Sequence, residues 1–315
     1  MDRMLTEKIL AGDVRSLARA ATWIENRRPE AEPLLRELFP KTGRALILGV
    51  TGSPGAGKST LCDQMTRVLR SEGKTVGVIA VDPTSPYTGG AILGDRIRMQ
   101  QHHADPGVFI RSMATRGWLG GLAAATTEMT MLLDAAGFDV VLVETVGVGQ
   151  DEVEIARLAD VTLVVMVPGM GDDVQAIKAG IIEIADVFVI NKSDLPGAEK
   201  LERELKSYLT LSHRPDGWTP PIVHTVANAT GGGAGIGETI QAAREYHARG
   251  ESQARGAEIW ASRLREMLRE RVLDRFPKAD FSAAGREVAE RRRDPYSILH
   301  EWLEEWPGMN PDKHQ

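Results

Sequence analysis

The stretch GVTGSPGAGKST, Gly49–Thr60, places four glycines and a proline on the approach to a lysine and two hydroxyl side chains. Ahead of it, Ala45–Val50 (ALILGV) reads as a short buried strand. After it, Leu61–Arg70 (LCDQMTRVLR) sets Leu61, Met65, Val68 and Leu69 at helical spacing. Strand, glycine-rich loop and helix form the context that G-x-x-x-x-G-K-[ST] requires, and Gly52, Gly57, Lys58 and Ser59 fill its fixed positions. A plain glycine-rich turn before a surface helix is the competing reading, and four fixed residues in this context weigh against it. The chemistry of a triphosphate accounts for the residue types. A helix N-terminus offers unpaired N–H groups and the positive end of its dipole. Glycines let the backbone wrap close enough for those groups to bond phosphate oxygens. The segment Gly52, Ser53, Pro54, Gly55, Ala56, Gly57, Lys58, Ser59 and Thr60 therefore reads as a phosphate cradle. In it Lys58 bridges the β- and γ-phosphates and the Ser59 hydroxyl ligates Mg²⁺.

Outward from this loop, apolar runs recur at 75–81, 108–110, 138–144, 161–167, 187–190 and 222–226, with helical patterns between most of them. That rhythm predicts an α/β fold of the P-loop NTPase kind, a mostly parallel sheet with helices on both faces. Residues 1–40 read as a helical extension, with Leu5, Ile9, Leu10, Leu17, Ala20 and Trp23 at helical intervals. Lys41-Thr42-Gly43 marks the start of a nucleotide domain over 41–250. Residues 251–315 show no strand signal and read as a helical arm, with amphipathic helices over 258–271 and 294–305. Its apolar positions Ile259, Trp260, Leu264, Met267 and Leu268 exceed what the nucleotide domain needs to cover itself, which suggests a partner surface.

With 315 residues the chain can bury one substantial core plus appendages, or two domains at most. A net charge of −6 argues against a nucleic-acid partner. The single cysteine, Cys62, excludes an internal disulfide, fits a reducing cytoplasm and reads as a small buried residue. Met1–Leu10 (MDRMLTEKIL) is charged and lacks the apolar centre of a signal peptide, and no apolar run is long enough to span a membrane. The expectation is a soluble cytoplasmic protein. The run Arg291–Arg293 reads as a solvated helix face.

The base is indicated where the run 187–190 ends in Asn191-Lys192-Ser193-Asp194. Asn-Lys-x-Asp at the carboxyl end of a strand looks like the guanine reader of GTPases. The Asp194 carboxylate can accept from the N1–H and the exocyclic amine of guanine, whereas adenine leaves that acceptor pair unmatched. Without the phosphate loop, the same residues would pass for an ordinary turn. Ala227, after the last apolar run, is the candidate for a backbone contact to the base. On the metal side, 138–144 runs into Glu144-Thr145-Val146-Gly147, an acidic residue followed by a glycine whose N–H can meet the γ-phosphate. Glutamate stands where most small GTPases have aspartate, and it can reach Mg²⁺ through a water. Asp82 and Asp95 are further carboxylates of the intervening region; each alone reads as readily as a cap or turn residue.

VDPTSPYTGGAILGDRIRM (81–99), TRGWLGGL (115–122), ETVGVGQ (144–150), GDDVQAIKAGIIEIAD (171–186) and NKSD (191–194) together resemble the MeaB/MMAA family. Members of that family, also labelled ArgK or lysine/arginine/ornithine transport kinase, are GTPase chaperones of adenosylcobalamin-dependent methylmalonyl-CoA mutase. The similarity is close over roughly residues 40–240 and looser at both ends. It implies a homodimeric, GTP/GDP- and Mg²⁺-binding protein that gates cobalamin delivery to its mutase and protects or restores that enzyme. By matched position it makes Asp82, Asp95 and Glu144 metal-side residues of switch regions. It makes Asp172, Gln175 and Lys178 a third switch that senses the partner. From spacing alone, those last three would read as an exposed helix face. Asn228–Gly237 carries more glycines than the family's compact loop.

Three other readings compete. A nickel metallochaperone GTPase would need His- or Cys-rich ligands, and the adjacent His102-His103 pair lacks chelating spacing. A phosphotransferase acting on a transport component would need a base beside an acceptor hydroxyl, which nothing marks. A protein that binds nucleotide without hydrolysis sits poorly with Lys58, Ser59 and Glu144 together. The residue after Gly147 is Val148, where Ras-like enzymes carry the glutamine that orients the attacking water, and neither Gln150, Gln175 nor Lys178 is placed by sequence to replace it. Hydrolysis is therefore expected to be slow alone and stimulated by the partner.

Overall fold

The computed structural model describes residues 3–82, 100–102, 104–114, 121–145, 155–169, 181–211, 214, 216–228, 233–273 and 278–304. Two compact units divide the chain, Met1–Trp260 and Ala261–Gln315. The first is built on β1 (Leu46–Gly52), β2 (Val76–Asp82), β3 (Val108–Ala114), β4 (Val140–Thr145), β5 (Val161–Met166), β6 (Val187–Asn191) and β7 (Ile222–Thr225). These form one seven-stranded sheet in the order β3-β2-β4-β1-β5-β6-β7, with every neighbouring pair parallel.

Side-chain alternation along the strands decides which helices cover which face. Leu48 and Val50 of β1, Val140 and Leu142 of β4, Leu163 and Val165 of β5 and Val187 and Val189 of β6 point to one face. There they meet Leu61, Met65 and Leu69 of α4 (Lys58–Ser71) and Ile236, Ile240 and Tyr246 of α7 (Ile236–Ala248). On the opposite face the intervening residues divide into two groups. Ile79, Val141 and Val143 pack with Met129, Leu132 and Leu133 of α5 (Gly121–Ala135) and with the N-terminal helices α1 (Arg3–Leu10), α2 (Val14–Glu25) and α3 (Ala31–Leu38). Val164, Met166, Phe188 and Ile190 pack under Leu201 and Leu205 of α6 (Ala198–Leu211). The helical reading of residues 1–40 holds as three helices, the second opened by Asp13, whose carboxylate accepts the Ser16 amide at 2.8 Å.

Buried or half-buried carboxylates pin the amino-terminal edge of the sheet. Asp134 accepts the amides of Gly43, Arg44 and Ala45, the last at 2.9 Å. Asp139 accepts Thr75 N–H at 2.8 Å, Asp160 accepts Ile47 N–H at 2.9 Å, and Asp186 accepts Thr162 N–H at 2.8 Å. The strands are thus fixed at the edge where they enter, and their carboxyl ends are left to loops.

The helix α8 (Glu251–Leu273) carries the division between the units, and α9 (Lys278–Ala289) and α10 (Pro295–Glu304) follow it. Sequence reading missed α9, whose KADFSAAGREVA offers only Phe281 and Val288 as large apolar anchors. Leu264, Leu268, Phe281, Tyr296, Leu299 and Leu303 are exposed. No helix among the described residues is long and apolar enough to cross a membrane.

Candidate functional site

The loop after β1 follows a path that side chains larger than hydrogen could not take. Gly52 has φ of 135°, and a Cβ there would stand 2.0 Å from the Val165 carbonyl oxygen. Gly57 has φ of 86°, and a Cβ there would meet Asn191 Nδ2 at 2.5 Å. Those two positions need glycine for space as well as for conformation. Gly57 is also the N-cap of α4, with no side chain capping the helix. A helix start of this kind presents amides suited to an anion.

Lys58 is almost entirely buried, which is costly for an ammonium group unless it is paired. Its Nζ donates to the carbonyls of Gly52, at 2.7 Å, and Ser53, at 3.0 Å, across the mouth of the loop. Ser59 Oγ donates to Glu144 Oε1 at 2.7 Å, and both residues are buried. That contact joins the start of α4 to the end of β4. It sets two oxygen donors side by side, a hydroxyl and a carboxylate of the kind that Mg²⁺ takes. A hard cation suits this pair. No cluster of three or more His, Cys, Asp and Glu able to hold a metal occurs among the described residues.

On the other side of the loop, Asn191 at the end of β6 is buried and joined to both of its neighbours. Its Nδ2 donates to the Ala56 carbonyl at 2.8 Å, while its Oδ1 accepts from Thr225 Oγ1 at 3.1 Å and from Ala227 N–H at 3.3 Å. Lys192 takes an unusual φ of 54° for a side chain of its size, and its Nζ donates to the Gly55 carbonyl at 2.9 Å. Ser193 fastens the same turn to β7 through its N–H and Oγ, both donating to the Thr225 carbonyl at 3.1 Å. Asp194 is left exposed.

These elements enclose a cleft of about 670 Å³ at the carboxyl end of the sheet, within the usual range for small-molecule sites. Pro54, Gly55, Gly57, Lys58, Ser59, Thr60, Glu144, Asn191, Lys192, Asp194 and Ala227, all singled out from sequence, line it. Gly52, Ser53 and Ala56 act from behind, through the carbonyls that hold Lys58 and Asn191. Asp82 ends β2, next to the strand that carries Glu144. Asp95, Gly147, Asp172, Gln175 and Lys178 lie outside the described residues. Ala227, the candidate for a backbone contact to the base, is in that lining, and its N–H donates to Asn191 Oδ1 at 3.3 Å. Sequence reading assigned no site role to Val81, Thr145, Leu195, Val226 and Asn228 in the lining. Thr145 and Leu195 each adjoin a motif residue, Glu144 and Asp194, so the signal was proximity along the chain.

Just beyond the loop, Asp63 of α4 accepts from Gln101 Nε2 at 2.8 Å and shares a 3.0 Å hydrogen bond with His102 Nε2. Burial works against its ionisation, but the hydrogen bonds from His102 and Gln101 and the charge of Arg67 outweigh it and hold the carboxyl below its ordinary range. His102 is thus a buried partner of α4.

Residues 17–280 match the family model described as methylmalonyl-CoA mutase-associated GTPase MeaB. A Pyrococcus abyssi protein provisionally named a GTPase is 48% identical over 96% of each chain. The GTPase ArgK of Escherichia coli is 42% identical over 70% of this chain and 71% of its own length. The crystal structure of a LAO/AO transport system kinase, 32% identical, superposes with a TM-score of 0.72 over 96% of both chains.

Proposed function

The chain belongs to the MeaB family of methylmalonyl-CoA mutase-associated GTPases, and from that premise we propose that it is a cytoplasmic, GTP-driven chaperone of an adenosylcobalamin-dependent acyl-CoA mutase. In this reading it gates delivery of the cobalamin cofactor and protects or reactivates the mutase, methylmalonyl-CoA mutase or a close relative. The observation that carries the nucleotide half is the joining of the phosphate loop to Asn191-Lys192-Ser193-Asp194 by the Asn191–Ala56 hydrogen bond. Phosphate and base recognition then belong to one cleft.

Within it, Lys58 exchanges its two loop carbonyls for β- and γ-phosphate oxygens, and the uncapped amides of α4 meet the β-phosphate. Ser59 and Glu144 would hold Mg²⁺, which when bound would supply positive charge against the phosphates. Asp194 accepts from the guanine N1–H and amine. Gly147 contacts the γ-phosphate, Asp82 and Asp95 support the metal side, and Gln175 and Lys178 with Asp172 form the switch that senses the mutase. The exposed apolar positions of α8 and the following helices close a homodimer.

The test is GTP turnover by the full chain with and without its cognate mutase at saturating concentration. Slow turnover alone, with a rise on the order of 10³–10⁵ on adding the mutase, is expected if missing transition-state groups arrive with the partner. Fast turnover by the free chain, or no response to the mutase, would reject the chaperone reading. The kinase name carried by the related structure motivates a second reading, phosphoryl transfer to a transport component. Labelled phosphate appearing on such a protein rather than in water would favour it.

A further inference from the structure

Two buried hydroxyls stand where β1 and β4 leave the sheet for the cleft. Thr51 and Thr145 are 0% and 4% exposed, and Thr145 Oγ1 donates to Thr51 Oγ1 at 3.1 Å. The ladder between these strands ends one residue earlier, at Val50 and Glu144. The hydroxyl pair therefore extends the link between the two strands one residue beyond the last backbone pairing. A buried parallel strand would ordinarily carry valine at such a place, because a hydroxyl taken out of water is penalised unless it finds a partner. Here each hydroxyl answers the other.

The neighbours of the pair give it consequence. Thr51 immediately precedes Gly52, whose carbonyl accepts from Lys58. Thr145 immediately follows Glu144, whose carboxylate accepts from Ser59, and itself lines the cleft. We propose that Thr145 is a positioning residue for GTP hydrolysis: anchored by Thr51, it holds the end of β4 so that Glu144 stays within bonding distance of Ser59. The inference rests on the proposed roles of Ser59 and Glu144 at the metal. It adds that the metal side is aligned with the phosphate loop by a neutral side-chain bond.

The test is single-turnover GTP hydrolysis by the full chain across a range of Mg²⁺ concentrations, with GDP affinity measured in the absence of added metal. Thr51→Val and Thr145→Val are each expected to slow hydrolysis by about tenfold to a hundredfold, the scale of a small misplacement of reacting groups. They should also raise the Mg²⁺ concentration for half-maximal rate, with metal-free GDP affinity unchanged. Thr51→Ser and Thr145→Ser keep the hydroxyl and should keep the rate. Valine variants with the native rate and Mg²⁺ dependence would overturn the inference, as would serine variants as slow as the valine ones. Should a single valine variant not fold, Thr51→Val combined with Thr145→Val leaves no orphaned hydroxyl. Native turnover by that folded double variant would equally overturn it. Glu144→Gln separates the two layers of the argument. If it leaves the Mg²⁺ dependence unchanged, the reading of the site itself fails; if it raises the Mg²⁺ requirement or stops hydrolysis while the valine variants behave natively, only the role of Thr145 fails.

Discussion

Removing the Asn191 side chain should separate the two halves of the cleft, and the structure sets the size of the effect. Asn191→Ala deletes one short hydrogen bond to the Ala56 carbonyl and two longer ones, from Thr225 Oγ1 and Ala227 N–H. All three partners are buried. A typical intramolecular hydrogen bond contributes about 1 kcal/mol net, and an orphaned buried partner costs about 1–3 kcal/mol. The 3.3 Å contact counts for little, so the whole loss is roughly 2–4 kcal/mol. That sum divides between folding and binding. Whatever part of the clamp serves only to hold the loops ready reappears as a cost of ordering them around the nucleotide. The loss of affinity is therefore capped at roughly 30- to 1,000-fold, at 1.4 kcal/mol per tenfold.

Two companion variants refine the test. Asn191→Asp keeps an acceptor for Thr225 and Ala227 but sets a carboxylate oxygen against the Ala56 carbonyl, so it should be at least as damaging as alanine. Thr225→Val removes one arm of the clamp without touching the cleft lining and should cost only about 1 kcal/mol. Urea denaturation with and without GDP, together with fluorescence titration of GDP, measures both components. An Asn191→Ala chain with native urea midpoint and native GDP affinity would refute the clamp.

Three further outcomes follow from the same geometry. Asp194→Asn should shift preference from GTP toward xanthosine triphosphate, since an amide can donate to the carbonyl that replaces the guanine amine; full retention of GTP affinity would show that Asp194 does not read the base. Thr75 N–H holds the Asp139 carboxyl below its usual range, and the Arg70 guanidinium does the same for Asp105. Their stabilisation is fully present above the unfolded carboxylate range near pH 4 and is lost as pH falls through the lower folded values, so melting temperature should drop on acidification, and less steeply in Asp139→Asn. Truncation after Trp260, which keeps the edge-on contact of Trp260 with Phe39 at 5.6 Å, should give monomers that still bind GTP; sedimentation as a dimer would reject the assignment of the dimer surface to the helices beyond.

How legible each feature was depended on how local its physics is. The phosphate loop and the strand-end Asn191-Lys192-Ser193-Asp194 were readable because consecutive residues supply both the backbone path and the chemistry. The parallel sheet was readable because both faces are covered, which leaves β4, β5 and β6 as continuous apolar runs. Asn191 was marked as a nucleotide residue, yet its task of tying Ala56 to Thr225 and Ala227 depends on residues far apart in sequence. The Thr51–Thr145 pair was hidden for the same reason. Nothing in an isolated threonine says that another stands opposite it. Ala227 lines the cleft, as its place after the last strand suggested, but the 3.3 Å hydrogen bond of its N–H to Asn191 could not be read from that place. The carboxylates of the amino-terminal edge read as ordinary loop residues until their strand neighbours are known.

The two edges of the sheet are held by different chemistry, and the difference suits an anionic ligand. Asp134, Asp139, Asp160 and Asp186 pin the amino-terminal edge with charged acceptors. At the carboxyl edge the side chains of Asn191, Ser193, Thr225, Thr51 and Thr145 tie strands and loops by neutral hydrogen bonds, beside the charged contacts of Glu144, Lys58 and Lys192. Strands of this length separate the edges by roughly 20 Å, and Asp186 and Asp139 are themselves paired with Arg214 and Lys74. At an effective dielectric of 20 an unpaired carboxylate at that distance repels a unit negative charge by about 0.8 kcal/mol, against roughly 2 kcal/mol for one at 8 Å. The charges that line the cleft are Lys58, Glu144, Lys192 and Asp194. Neutral hydrogen bonds are individually weaker than charged ones. That accounts for the three contacts Asn191 makes at once, and for the sensitivity of the cleft to losing that one side chain.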